Sequence, residues 1–247
     1  MPYRKVKCIV SYDGSNYAGY QIQTNGATVQ QMLEEAIERI TKEKTTVYAS
    51  GRTDAGVHAK GQVFHFCTSS SIPVEKWPFA FASQLPHDIS VQSAEEVHDS
   101  FHARYDVVEK TYRYCVMNRR FPDVFFRRYA WHIPRPLNVE AMITASRFLV
   151  GVHDFTSFCS VRSEKEVKVR EIYEITFDRD EEGMLWISFR GNGFLYNMVR
   201  IMVGTLVKIG LSEKPADSIA QILEAKDRKK AGPTAPPQGL FLWEVGY

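Results

Sequence analysis

Asp54 is the residue of this 247-residue chain whose neighbours most suggest chemistry. It lies within Ser50 to Ala59, SGRTDAGVHA, with Arg52 two positions before it and Gly56 two after. The segment lacks the apolar alternation of a core strand, and its glycines suit a helix poorly. It reads as a tight loop that presents a carboxylate and a guanidinium to whatever lies opposite. A carboxylate held in that way serves as a nucleophile or a base. The plainer reading is an Asx-turn, with Asp54 bonded to its own backbone and Gly56 supplying a positive φ.

Two further sites carry polar groups where the pattern is otherwise apolar or aromatic. Arg200 sits inside 194–206, an almost wholly apolar stretch, between Val199 and Ile201. A helix of that composition is buried, so its guanidinium must find a carboxylate or several carbonyls. Tyr112 and Tyr114, in KTYRY, fall on one face of a strand. Around them, from Arg104 to Arg135, eight Lys/Arg face three acids, interleaved with Tyr105, Phe121, Phe125, Phe126, Tyr129 and Trp131. Basic and aromatic residues so mixed suit phosphate contacts and base stacking. A solvated strand-loop face with its aromatics turned inward would leave the same pattern.

The elements that position these groups alternate along the chain. Strands are expected over Lys5 to Tyr12, Thr45 to Ser50, Gln62 to Thr68 and Ile89 to Val97. Between them, Thr28 caps a helix to Thr41 with Val29, Leu33, Ala36, Ile37 and Ile40 on one stripe. Pro73 to Leu85 reads as a second helix, with Pro78 a point of breakage. The grammar then repeats, beginning with a long strand from Tyr105 to Met117 and a helix from Asn138 to about Val150. A hairpin of Val167 to Asp178 and Met184 to Arg190 turns around Asp180 to Gly183. Helices Tyr196 to Ile209 and Pro215 to Lys229 and a strand Leu240 to Val245 complete it. This predicts an α+β protein with a half spanning 1–104 that carries the aspartate loop. A second half, 105–247, carries the basic strand and Arg200. Each half is a β-α-β-β-α-β-like unit of the ferredoxin or RRM kind. The two are expected to form a continuous, mostly antiparallel sheet, with helices on one face and a cleft for RNA on the other.

Composition sets the remaining bounds. The net charge is +2, with 44% hydrophobic and 13% aromatic residues, as in a globular protein with a substantial core. There is no run of about 18 apolar residues and no signal-like N-terminus, so the expectation is a cytosolic protein. Cys8, Cys67, Cys115 and Cys159 lie too far apart for a zinc or disulfide framework, and the first three read as core thiols.

Four segments in order resemble the TruA-type tRNA pseudouridine synthases. They are YDGSNYAGYQIQ (from Tyr12), SGRTDAGVHA, FHARYDVVEKTYRY (from Phe101) and GNGFLYNMVRIMVG (from Gly191), supported by APPQGLFL (from Ala235). The resemblance covers nearly the whole chain. It implies isomerisation of uridine to pseudouridine in the anticodon stem-loop of tRNA, at about positions 38–40, by a cytoplasmic homodimer without cofactor or metal. Asp54 would be the catalytic aspartate, Arg200 the cation keeping it charged, and Tyr112 the tyrosine packed on the base. Arg52, Leu240, Tyr20, Gln21, Arg104 and Lys110 would contact the substrate. The family commonly has tryptophan where this chain has Tyr20, which keeps an aromatic plane but bears on fine substrate choice.

Two other classes fit less of the chain. A non-catalytic RNA-binding module would use sheet aromatics, yet no segment reads as an aromatic-rich RRM signature, and Asp54 would repel phosphate. A metal-dependent nuclease draws on His98 and His102, but Asp99, Ser100 and Phe101 between them are not a zinc-protease pattern. GNGFLY also lacks the last glycine of a dinucleotide fingerprint.

Overall fold

The chain folds as a mixed α+β protein whose strand pairs are mostly antiparallel. The structure, a computed structural model, describes residues 3–162, 166–180 and 183–247. It divides into two compact units, Met1–Val108 with Phe241–Tyr247, and Glu109–Leu240. No helix among the described residues is long and apolar enough to cross a membrane.

In the first unit the order is β1 (Arg4–Tyr12), α1 (Val29–Thr41), β2 (Tyr48–Ala49), β3 (His58–Thr68), α2 (Trp77–Ala82) and β4 (Ile89–Val97). That is the β-α-β-β-α-β succession, and its sheet runs β4-β1-β3 with β2 beside β3, the ferredoxin-like arrangement. The last strand, β10 (Leu240–Gly246), pairs in parallel with β3 through Phe241 and Leu242. Thr28 caps α1 by accepting from Gln31 N–H, and Lys42 closes it in the left-handed region at φ 65°. Val29, Leu33, Ala36 and Ile37 are buried as the spacing requires, while Ile40 is only half-buried. Pro78 does not break α2. It occupies the first turn, where a missing N–H costs no helical hydrogen bond.

Alternation sorts the two faces of this sheet. Val6 and Cys8 stand opposite Phe66 and Phe64 in register, and Phe66 meets Trp77 of α2 edge-on at 5.0 Å. The other face carries Lys5, Lys7, His65 and Cys67, and it is not bare. Residues 98–106 cross it as a strap: Lys5 Nζ donates to the Asp99 and Phe101 carbonyls, and Ala103 N–H to His65 Nδ1 (3.1 Å). The Tyr247 hydroxyl donates to the Ala103 carbonyl (2.6 Å), and Lys7 Nζ lies 4.7 Å from the Tyr247 ring. Cys67, expected in the core with Cys8 and Cys115, is exposed because it sits on this face beyond the strap's cover. Cys8, Cys115 and Cys159 are buried, and all four thiols are free.

The second unit holds β5 (Glu109–Met117), β6 (Trp131–His132), α3 (Val139–Ser146), β7 (Gly151–Asp154), β8 (Val169–Arg179), β9 (Leu185–Gly191), α4 (Met198–Gly210) and α5 (Ser218–Ala225). Its strands run β5-β9-β8-β7, each pair antiparallel, with β6 in parallel beside the end of β5. The β8–β9 hairpin is present, although residues 181 and 182 of its expected turn lie outside the described residues. Tyr105 is not in the long strand: it belongs to the strap, and β5 begins at Glu109. Likewise the strand expected over Thr45 to Ser50 shrinks to β2, and the Pro215 to Lys229 helix to α5. Asn138 caps α3 by accepting from Ala141 N–H.

The α4 helix is buried nearly all round, and the 232–236 segment lies directly on it. A Cβ on Gly204 would stand 1.9 Å from the Pro233 carbonyl oxygen. Thr205 Oγ1 accepts from Gly232 N–H (2.8 Å) and donates to the Ile201 carbonyl (2.8 Å). We expect Gly204→Ala to lower the unfolding free energy by about 1–3 kcal/mol through overpacking, read as a lower urea midpoint. An unchanged midpoint would mean that the 232–236 segment yields freely.

His65 supplies a second expectation. Burial first, then the neighbouring His102 and Lys5 charges, hold its pKa down at about 4 against an ordinary 6.5, with Asp106 opposing them. Between those values the unfolded chain binds a proton that the folded chain does not. Stability should therefore fall as pH drops from about 6.5 to 4, by on the order of 1–3 kcal/mol. In His65→Asn, whose Oδ1 still accepts from Ala103 N–H, that part of the pH slope should vanish. An equal slope in both proteins removes His65 as its cause.

Candidate active site

The Asp54 loop joins β2 to β3 and is fixed along its length by the first unit. Ser50 N–H donates to the Val63 carbonyl (2.8 Å), and Ser50 Oγ bonds Gln62 Oε1 (2.6 Å). Gln62 Nε2 in turn donates to the Gly51 carbonyl (2.9 Å). Further along, the Tyr12 hydroxyl and Thr53 Oγ1 share a bond of 2.8 Å, and Tyr20 N–H donates to the Thr53 carbonyl (3.0 Å). Burial pushes the Tyr12 hydroxyl up to about 12, against the pull of its Thr53 and Gln62 hydrogen bonds, so it stays protonated at neutral pH. Asp54 itself opens a turn: its carbonyl accepts from Val57 N–H (3.1 Å), and Gly56 takes φ 75°. The turn foreseen at Gly56 thus exists, and a main-chain bond closes it. Asp54 is half-buried and Arg52 is exposed.

Two glycines of the YDGSNYAGY segment make this seat possible. A Cβ on Gly14 would stand 2.0 Å from the Val57 carbonyl oxygen. One on Gly19, at φ 106°, would stand 2.9 Å from the Thr53 carbonyl oxygen and 3.3 Å from Ala55 N. Gly14 N–H also donates to His58 Nδ1 (3.0 Å) at the loop's exit. The loop's backbone therefore packs on another backbone with no side chain between them.

In the second unit, Arg200 lies in the first turn of α4 and is half-buried. Its Nε donates to the Ala235 carbonyl (2.8 Å) and its Nη1 to Asn197 Oδ1 (2.8 Å). The Arg200 carbonyl accepts from Ala235 N–H (3.0 Å), so main chain and side chain grip the same residue. Asn197 holds the αL conformation at φ 61° just before the helix, where asparagine is among the few side chains that fit. Both Asn197 and Ala235 are supports that reading the sequence did not single out. The asparagine ahead of an apolar run, in YNMVR, was the available signal.

The two tyrosines of β5 differ in environment. Tyr114 is fully buried, its hydroxyl donates to the Pro236 carbonyl (2.8 Å), and burial raises its pKa despite the nearby Arg200. A Cβ on Gly239 would strike its ring at 2.6 Å. Tyr112, two residues earlier on β5, is 9% exposed and meets Phe194 edge-on at 5.1 Å.

The other expected contacts separate into exposed and buried groups. Arg104 is exposed in the first unit, its guanidinium 5.9 Å from the Tyr105 ring. Gln21 is exposed and donates to Gln30 Oε1 (2.7 Å), whereas Lys110 is half-buried on β5 opposite Gly191. Leu240 is buried at the start of β10, its N–H on the Pro237 carbonyl. Tyr20, expected as an aromatic plane toward RNA, is only 2% exposed. Its backbone N–H donates to the Thr53 carbonyl and its carbonyl accepts from Gln30 N–H, so it supports the loop. His98 and His102 engage separately, through Ser100 Oγ (2.8 Å) and Arg104 N–H (3.1 Å). No group of three or more His, Cys, Asp or Glu among the described residues is arranged to hold a metal ion.

Comparison with known proteins bears on what such a loop serves. A family model described as tRNA pseudouridine synthase matches residues 8–106 and 145–247. A "tRNA pseudouridine synthase A" of Brevibacillus brevis is 51% identical over 99% of this chain and 100% of its own. Proteins of the same description from Bacillus pumilus and Bacillus subtilis are 52% and 49% identical, each over 98% of this chain and 99% of theirs. The aspartate loop and its two glycine supports fall in the first matched stretch, and Arg200 with its Ala235 clasp in the second: the chain belongs to the tRNA pseudouridine synthase family.

Proposed function

We propose that this protein is an isomerase that converts uridine to pseudouridine in tRNA, acting in the cytoplasm on the anticodon stem-loop at about positions 38–40. The observation that carries the reading is the Asp54 turn, whose flanks are bonded to Tyr12, Tyr20 and Gln62 and seated on Gly14 and Gly19. Such a turn holds a carboxylate at a fixed position, which a nucleophile or base requires. Full-length relatives near 50% identity that bear the name of this activity support it.

The reaction breaks the N1–C1′ bond of uridine, turns the base while it stays bound, and forms a C5–C1′ bond. The proton leaves C5 and one is gained at N1, so atoms and electrons balance without a redox step or a co-substrate. Asp54 acts as nucleophile or base. Arg200 supplies the positive charge that keeps a carboxylate ionised, and Tyr112 packs on the base and serves the C5 proton. A uridine must leave its stack to be reached, and exposed Arg52 suits the contact to the strand it leaves. Leu240 provides apolar surface beneath the base, with Gln21, Arg104 and Lys110 as polar contacts to RNA. The active species is a homodimer.

Incubating the purified protein with an unmodified tRNA transcript and no additives, followed by carbodiimide mapping, should reveal pseudouridine in the anticodon arm. Asp54→Ala should give none, and equal signal from both proteins would sink the assignment. A pure RNA binder would instead hold the transcript equally well with Asp54→Asn and modify nothing.

Arg200→Lys should cost at least about a hundredfold in kcat, because an ammonium cannot satisfy Ala235 and Asn197 while aiming a planar fork. Removing a guanidinium raises the pKa of the carboxylate that it serves. In Arg200→Gln, which removes the charge that lysine would keep, the acidic limb of the kcat–pH profile should accordingly move upward, by about one pH unit or more. A variant with lower kcat and an unmoved limb would assign Arg200 to structure alone.

A further inference from the structure

The loop between β5 and β6, residues 118–130, lies in the part of the chain between the two stretches matched by the family model. It exposes Phe121 by 71%, Val124 by 61% and Phe125 by 81%. Three large apolar side chains so close together, turned to solvent, are unusual on a soluble surface. They are not there through want of local structure. Asp123 N–H donates to Met117 Sδ (3.1 Å), and Asp123 Oδ1 accepts from Phe125 N–H (2.8 Å). Arg127 Nη1 donates to the Val124 carbonyl (2.6 Å), Tyr129 N–H to the Phe126 carbonyl (2.9 Å), and His132 Nε2 lies 2.9 Å from the Arg119 carbonyl oxygen. The loop's own hydrogen bonds give its backbone a defined course, and both rings are exposed along it.

Charge identifies the occupant. Arg119, Arg120, Arg127 and Arg128 flank the rings in sequence, against Asp123 alone. Asp123 is already paired with Arg119 at 2.8 Å, and the Arg120 guanidinium lies over the Phe121 ring at 5.2 Å. Rings for π-faces and guanidinium groups for phosphates are what single-stranded RNA requires. A second copy of this chain would bring the same cations against each other. We infer that the 118–130 loop is a second RNA contact, in which Phe121 and Phe125 stack on unpaired bases while Arg120, Arg127 and Arg128 take the flanking phosphates. The inference rests on tRNA as substrate and adds a contact remote from the reacting base. Six residues of extended chain separate Tyr112 from Asn118, roughly 20 Å, so the loop governs grip rather than chemistry.

The test measures the dissociation constant of a labelled unmodified tRNA transcript at several salt concentrations. Phe121→Leu with Phe125→Leu should weaken binding at least about fivefold for each stacked base lost, with the salt dependence unchanged. Tryptophan at both positions should restore binding, because it stacks and leucine does not. Arg120→Gln and Arg127→Gln should each lower the slope of log K against log salt by about 0.7–0.9. The single-turnover rate at saturating enzyme should stay that of the wild type in every variant. All these residues are exposed, and circular dichroism with the thermal midpoint verifies the fold. Wild-type pseudouridine formation in the same preparation tests the reaction separately from the grip. Unchanged affinity in the leucine variant would overturn the inference. So would light scattering that showed this variant falling from dimer to monomer in step with its loss of affinity, since the rings would then face another subunit.

Discussion

The close approach of two backbones at Gly14, Gly19 and the Asp54 turn is the constraint on which the course of that turn depends. A catalytic carboxylate needs a fixed main chain more than a fixed side chain, because Asp has only two torsions beyond it. Here the main chain is fixed by subtraction. With no Cβ at 14 or 19, the Thr53 and Val57 carbonyls come nearer than any other residue would allow. Hydrogen bonds from Tyr12, Tyr20 and Gln62 then hold what the glycines admit. This explains physically why YDGSNYAGY and SGRTDAGVHA occur together: one is the seat of the other.

The second unit solves a different problem, that of keeping a guanidinium in a helix with almost no polar surface. The solution is to lay the 232–236 segment across α4 at glycine, so that its carbonyls reach the helix. Arg200 donates Nε to the Ala235 carbonyl and Nη1 to Asn197, and its own carbonyl accepts from Ala235 N–H, so these bonds engage two of the five guanidinium N–H donors and fix the plane of the group. The same segment takes the Tyr114 hydroxyl through Pro236. A proline-rich connection that looks like filler in the sequence is thus a source of acceptors for two polar side chains.

Much of this was legible from residues alone, and the failures share a cause. The caps at Thr28 and Asn138 and the strands β1 and β4 follow from local pattern, because caps and alternation are local physics. Alternation also states which residues share a face, but not what covers that face. Cys67 and His65 share one face of β3, yet the strap buries His65 and leaves Cys67 exposed. Tyr112 and Tyr114 share a face on β5, and distant partners separate their environments, among them a carbonyl 122 positions away from Tyr114. The burial of Tyr20 is likewise tertiary and has no signal in its own segment. The two-residue strands β2 and β6 are too short to carry any periodicity. Position within the Asp54 loop was readable; the Tyr12, Gln62 and Asn197 supports were not, since each is defined by a partner elsewhere.

The return of Phe241–Tyr247 to the first unit has a consequence for biosynthesis. Residues 3–108 leave the ribosome long before the strand that pairs with β3 and the tyrosine that ties down the 98–106 strap. At ordinary elongation rates that interval lasts roughly 7–26 s, during which the sheet lacks a strand and the aspartate loop's neighbour at His58 lacks its stacked Phe241 ring. The nascent first unit therefore waits, incomplete, for the whole of 109–240 to be made.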